Sequence, residues 1–154
     1  MTTHRETQLI AASCDQVFEL VADVERYPEF LSLWRRARVY HRESDMYMTD
    51  QEIGLGPIRE RFRTRTELRR PRRIEVTSDD PLFEAFQILW GFDSVRTGCR
   101  ASIALTWQMR SRPLQAGIDL LLPTVARTMV GAFSKRADQV LRRPTGGPPQ
   151  GDPA

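Results

Sequence analysis

Lysine is almost missing from this chain: Lys135 is the only one among 23 basic residues, and the rest are arginine. Cysteine is scarce too. Cys14 and Cys99 stand alone, too few for a disulfide scaffold or a zinc site, so a reducing compartment is the default expectation. Histidine stops at His4 and His41. With no His-x-x-x-His, no Cys-x-x-Cys and no repeated carboxylate spacing, no metal is expected. Nowhere do about 18 apolar residues run together, as a membrane span requires. The opening Met1-Thr2-Thr3-His4-Arg5-Glu6 has no apolar signal core, so the expectation is a cytoplasmic protein that is not exported.

What is present suits one domain. The chain has 154 residues, 40% apolar and 28% charged. A chain of this length buries about 68–70% of its unfolded surface and needs neither metal nor disulfide to stand. The net charge of +3 is too small to require nucleic acid or an anionic membrane, and no DNA partner is expected. The arginine bias has two readings: the codon habit of a GC-rich genome, or guanidinium forks that recognise phosphate. The positions of the arginines must decide.

Residues 144–154 are rich in proline and glycine and offer nothing to anchor a core. They are expected to be disordered, which leaves 3–143 as the folded part. Residues 5–11 read as a strand. Ser13 and Gln16 then have the spacing of a capping box, ahead of a helix with Val17, Phe18, Leu20 and Val21 as its apolar stripe. Asp23 can cap a further short turn, and Pro28 suits the first position of a helix over 28–34. From residue 37 the apolar period becomes two, which predicts strands at 38–44, 46–53, 58–69, 72–78, 86–98 and 101–110. Gly54-Leu55-Gly56-Pro57 and Asp79-Asp80-Pro81 mark turns. In the 58–69 strand, Ile58, Glu60, Phe62, Thr64, Thr66 and Leu68 share one face, and Arg59, Arg61, Arg63 and Arg65 share the other. The last element is a long amphipathic helix running from Ile118 to Leu141 at three- and four-residue steps. Pro123 lies inside it and either kinks it or starts its main segment. The order is α+β: about six to seven antiparallel strands with one apolar face, and one long helix available to cover it.

Several stretches carry a resemblance to a known family. They are Val21-Ala22-Asp23-Val24-Glu25-Arg26-Tyr27-Pro28-Glu29-Phe30-Leu31 with Trp34, then Asp80-Pro81-Leu82-Phe83 before Trp90-Gly91-Phe92 and Cys99. Met129-Val130-Gly131-Ala132-Phe133 with Arg136-Ala137 completes the set. With these residues the chain resembles the START-like helix-grip superfamily, and within it the coenzyme Q-binding protein family. That family sits beside the polyketide cyclase/dehydrase group and the bacterial ribosome-association toxins. Where it usually has a Gly-Pro-Phe turn, this chain has Asp80-Pro81-Leu82-Phe83.

The resemblance implies a curved antiparallel sheet wrapped around the long helix, with a cavity between them for a hydrophobic ligand. It points to ubiquinone or a polyprenyl quinone precursor, bound without catalysis and without a required cofactor, in support of respiratory electron transport or quinone synthesis. The candidate wall residues are Tyr27, Phe30, Leu31, Phe62, Phe86, Ile88, Trp90, Phe92, Leu105, Trp107, Leu121, Leu122, Val125 and Met129. Taken singly, each reads as filled core; taken as a set, the resemblance makes them a cavity wall.

Other chemistry has narrower support. Cys14 at a helix start and Cys99 at a strand start read as inert small residues, with no histidine placed to form a nucleophilic pair. Glu60 is the one candidate for acid–base work, since an apolar cavity would raise its pKa and let it exchange a proton with a polyketide or quinone oxygen. The plainer reading, and the one preferred, is a carboxylate near a strand start that reaches solvent or pairs with an arginine. If it is catalytic, the protein is a polyketide cyclase or aromatase. Arg59, Arg61, Arg63 and Arg65 read either as a solvated sheet face or as a contact for lipid headgroups at the inner membrane or for ribosomal RNA. No aromatic residue is expected to interleave on that face, so base stacking is not expected.

Overall fold

In the computed structural model, which describes residues 2–140, strand β1 (Thr2–Ile10) leads into helix α1 (Cys14–Ala22). The capping box forms: Gln16 N donates to Ser13 Oγ, and Ser13 N donates to Gln16 Oε1, each at 3.2 Å. Both free amides at the helix start are thereby satisfied. A short 3-10 helix (Val24–Glu29) follows, then β2 (Trp34–Glu43), β3 (Met46–Leu55), β4 (Ile58–Arg69), β5 (Arg73–Thr77), β6 (Phe83–Val95), β7 (Gly98–Met109) and helix α2 (Arg112–Val140). The expected tail at 144–154 lies outside the described residues, as do Leu141 and the rest of 141–143.

The helix expected over 28–34 does not form. Pro28 sits inside the 3-10 helix, and the amides of Phe30 and Leu31 both donate to the Tyr27 carbonyl, at 3.1 and 2.8 Å, which closes the helix there. Trp34 instead opens β2, because its indole Nε1–H reaches Gln51 Oε1 on β3 at 2.6 Å. β6 also starts earlier than expected, at Phe83. Asp80 organises the preceding turn in place of the missing glycine: its carboxylate accepts from Leu82 N at 3.0 Å and from Arg63 N on β4 at 3.1 Å.

The seven strands form one antiparallel sheet in the order β1-β7-β6-β5-β4-β3-β2, with β1 and β2 at its edges. It curves around α2 in a helix-grip arrangement. Strand alternation sets the two faces. Phe62, Thr64, Thr66 and Leu68 of β4 are buried, while Arg59, Arg61, Arg63 and Arg65 are exposed. Gly98 begins β7 at φ +149°, where a Cβ would lie 2.2 Å from the Ile10 carbonyl oxygen, so no side chain is tolerated at that approach.

Pro123 bends α2. The segments Arg112–Leu121 and Pro123–Val140 meet at 52°, the result of a missing N–H and of crowding against the preceding turn. The second segment buries Ala126, Met129, Val130, Phe133 and Ala137 against the sheet. The first buries none of its described side chains to that degree. It is held instead by Gln115, whose Nε2 donates to the Trp107 carbonyl at 3.2 Å while its Oε1 accepts from Met109 N at 2.5 Å. No single helix among the described residues is long and apolar enough to cross a membrane.

The cysteines correct the expectation of two separate, inert thiols. They are joined as a disulfide across 85 residues, with Cα atoms 5.0 Å apart. β1–β7 pairing sets Cys99 opposite Ile10, and the chain turns straight from Ile10 into α1, where Cys14 is the first residue. Only the sheet register brings the two together.

Candidate functional site

The bend in α2 and the loop before β2 enclose a cavity of about 220 Å3. Its walls are Phe30, Leu31, Ser32, Leu33 and Trp34 on one side, and Leu121, Thr124, Val125, Thr128 and Met129 on the other. The only polar side-chain groups among these are hydroxyls and the Trp34 indole N–H, and no wall residue titrates. A smaller recess of about 20 Å3 adjoins it, lined by Leu33, Ile53, Ile58, Trp107, Gly117, Ile118, Leu121 and Val125. The two share Leu33, Leu121 and Val125.

The residues of the Asp23–Leu31 stretch explain why the wall stands where it does. The Tyr27 hydroxyl donates to the Val21 carbonyl, and the Tyr47 hydroxyl donates to the Ala22 carbonyl at 2.7 Å, so two phenols cap the end of α1. Burial is the main cause that pushes both phenols above their ordinary pKa, so each stays a neutral donor. Glu25 accepts from Val39 N at 2.8 Å on the sheet edge. Glu29 accepts from Arg136 Nη2 at 2.6 Å, and the Arg136 guanidinium lies 5.1 Å over the Phe30 ring. Phe30 and Tyr27 both meet Phe133 edge to face, at 5.1 and 5.3 Å. The motif therefore clamps the middle of the second segment of α2 to the loop and leaves the gap at the bend, along Leu121 to Met129. Trp34 is fixed from behind: its acceptor Gln51 in turn donates to Thr49 Oγ1 at 2.8 Å and to Thr64 Oγ1 at 3.1 Å.

The candidate wall residues divide into three groups. Phe30, Leu31, Leu121, Val125 and Met129 line the larger cavity, and Trp107 lines the recess. Phe62, Phe86, Ile88, Trp90, Phe92, Leu105 and Tyr27 are packed core. Phe62, Phe83 and Phe86 cluster at 4.7 to 5.7 Å, and Trp90 packs on Phe92 and Phe133. The side chain of Leu122 lies outside those described. Sequence reading missed Leu33, Trp34, Ile53 and Ile118 as wall residues; the helical step Ile118–Leu121–Val125 was the available signal for the last of these. Glu60 is half-buried on β4 opposite Ile53 and lines neither cavity.

The outer arginine face is interlaced with acid. β3 runs between β2 and β4 and sets Asp50 beside Arg38 and Arg63, and Glu52 beside Arg36 and Arg61. Asp50 lies 3.9 Å from both Arg38 and Arg61. The expected lack of an aromatic is corrected too. Tyr40 of β2, 38% exposed, lies under the Arg63 guanidinium at 5.2 Å, a neighbour invisible along β4 because it comes from another strand.

The profile of the family described as polyketide cyclase/dehydrase and lipid transport matches residues 10–134. The ribosome association toxin RatA of Pseudomonas aeruginosa is 29% identical over 91% of this chain and 99% of its own. The mitochondrial coenzyme Q-binding protein COQ10 of Dictyostelium discoideum is 26% identical over 91% of this chain and 71% of its own. Among solved structures, the Zhui aromatase/cyclase from Streptomyces sp. R1128 superposes with a TM-score of 0.81 at 14% identity, covering 95% of this chain and 98% of that one. That likeness is one of fold.

Proposed function

This chain belongs to the polyketide cyclase/dehydrase and lipid transport family, and from that premise we propose that it is a binding protein for ubiquinone or a related polyprenyl quinone precursor. In this reading it holds its ligand without converting it, needs no further cofactor, and serves respiratory electron transport or quinone synthesis. The carrying observation is the cavity of about 220 Å3 at the helix bend, whose walls have apolar side chains and hydroxyls but no group that could exchange a proton near neutral pH. Transfer of an apolar ligand from water into it is driven by about 25 cal/mol per Å2 of buried apolar surface. The similarity to a coenzyme Q-binding protein supports the ligand class.

Size sharpens the reading. The cavity exceeds the roughly 150 Å3 that accommodates benzene, and falls below the roughly 300–1,000 Å3 typical of drug-sized sites. One substituted ring or a short stretch of isoprenoid fits, and the remainder of a long tail leaves through the opening. Leu120, 82% exposed on the first segment of α2, adds exposed apolar surface next in sequence to the wall residue Leu121. The proposal includes peripheral contact with a membrane surface while the ligand is loaded.

Organic extraction of the purified protein, combined with quenching of tryptophan emission on quinone addition, tests this reading. An isoprenoid quinone in the extract and saturable quenching are expected; the absence of both would remove it. A second reading, association with ribosomes, rests on the near full-length similarity to RatA. It calls for sedimentation with ribosomal fractions that weakens steeply with salt, and absence from those fractions at low salt would dismiss it.

A further inference from the structure

Building on the quinone-binding reading, we propose that Trp107 selects the ligand by hydrogen bonding: its indole Nε1–H donates to a carbonyl oxygen of the bound ring. The ligand class is then a ring that carries a carbonyl, and a plain hydrocarbon lipid is a poor substitute.

Trp107 is 2% exposed on the inner face of β7, and its ring stacks on Phe86 with centroids 5.5 Å apart at 22°. That stack fixes the indole plane. Its Nε1 is buried and has no hydrogen-bond partner. Buried indole N–H groups nearly always have one, because an unpaired donor forfeits its hydration for nothing. Trp34, across the shared Leu33 wall, shows the ordinary solution with its bond to Gln51 Oε1. The only other orphan donor among the described residues is Arg136 Nε, on a guanidinium already engaged with Glu29 and Phe30.

None of the side chains that line the recess with Trp107 carries an acceptor. Its volume of about 20 Å3 just passes the roughly 10–15 Å3 that one water-sized group requires. An oxygen atom fits there and a ring does not. The larger cavity, sharing Leu33, Leu121 and Val125 with the recess, takes the ring. A carbonyl projecting from that ring supplies the missing acceptor, and a hydrocarbon of the same shape leaves the donor unpaired. Pairing an otherwise orphaned neutral donor corresponds to about tenfold in affinity.

The test uses the 15N-labelled full chain and two probes of equal tail length, decyl-benzoquinone and decylbenzene. The Trp107 indole resonance is identified by its loss in Trp107→Phe, or by elimination with Trp34→Phe and Trp90→Phe should the first variant not fold. Decyl-benzoquinone is expected to move the Trp107 N–H downfield and to bind about tenfold tighter than decylbenzene, with the preference abolished in Trp107→Phe. If Val125 and Met129 signals respond to both probes equally while the Trp107 N–H stays put, the quinone-sized site stands and the role of Trp107 is overturned, its donor being satisfied by water alone. If neither probe moves Val125 or Met129, the binding reading fails, and this inference with it.

Discussion

The two segments of α2 share one sheet and one helical sequence, yet they use them differently. After Pro123, five side chains are buried, and Phe133 meets Tyr27, Phe30 and Trp90 within 5.1 to 5.3 Å. Before it, Leu114, Ile118 and Leu121 are only half-buried, and the segment is tied to β7 by the amide of Gln115. A 52° bend separates the two. The second segment closes the core, and the cavity opens at the bend, walled by Leu121 at the end of the first segment and by Thr124, Val125, Thr128 and Met129 at the start of the second. The cavity is therefore located by where packing stops, more than by any residue set apart for chemistry.

Substitutions should separate the two segments clearly. Phe133→Ala, which empties a fully buried ring site, is expected to lower stability by about 3–5 kcal/mol, read as a shift in denaturant midpoint. A shift near that of a surface variant would show the second segment to be no better packed than the first. Next in size, Tyr47→Phe removes the donor to the Ala22 carbonyl and should cost about 1–1.5 kcal/mol. The same residue gives a pH signature. Burial raises the Tyr27 and Tyr47 phenols above the ordinary value of about 10, so above that pH the folded state binds more protons than the unfolded state. Their stabilisation is complete below about pH 10 and is lost as pH rises beyond it, and Tyr47→Phe should flatten that decline. An alkaline limb of equal slope in the variant would count against it.

The smaller effects belong to the open segment and the outer face. Leu121→Ala should cost under about 1 kcal/mol in the same denaturation measurement, because much of that side chain already faces open space. A loss as large as that of Phe133→Ala would erase the contrast between segments. Arg61→Ala and Arg63→Ala should each stay within about 0.5 kcal/mol, since both side chains are exposed and pair only with neighbours on the sheet surface. Quinone titration of these two variants should match the unaltered protein.

Much of this contrast was open to sequence reasoning, and the limit is a physical one. Alternation in β4, β6 and β7 identified the inward face, and Pro123 marked the break in the helix. Alternation reports which way a side chain points, however, and not whether another atom meets it there. Phe62, Phe86 and Trp90 point inward into filled core, while Val125 and Met129 point into a cavity. Residues 28–34 misled because Pro28 suits a helix start, whereas the bonds that decide the outcome come from Tyr27 and from Gln51, 17 residues beyond Trp34. The Cys14–Cys99 bond and the acid between the arginines depend on strand register, which a one-dimensional pattern does not contain.

Native mass spectrometry of the protein as isolated, beside Val125→Trp, addresses the cavity most directly. Val125 borders both the larger cavity and the recess, and an indole there would fill the space that a ligand needs. The unaltered chain is predicted to carry an adduct with the mass of an isoprenoid quinone or its precursor, and Val125→Trp to fold and carry none. Two bare proteins, or the same adduct at equal occupancy on both, would contradict a ligand held at the bend of α2.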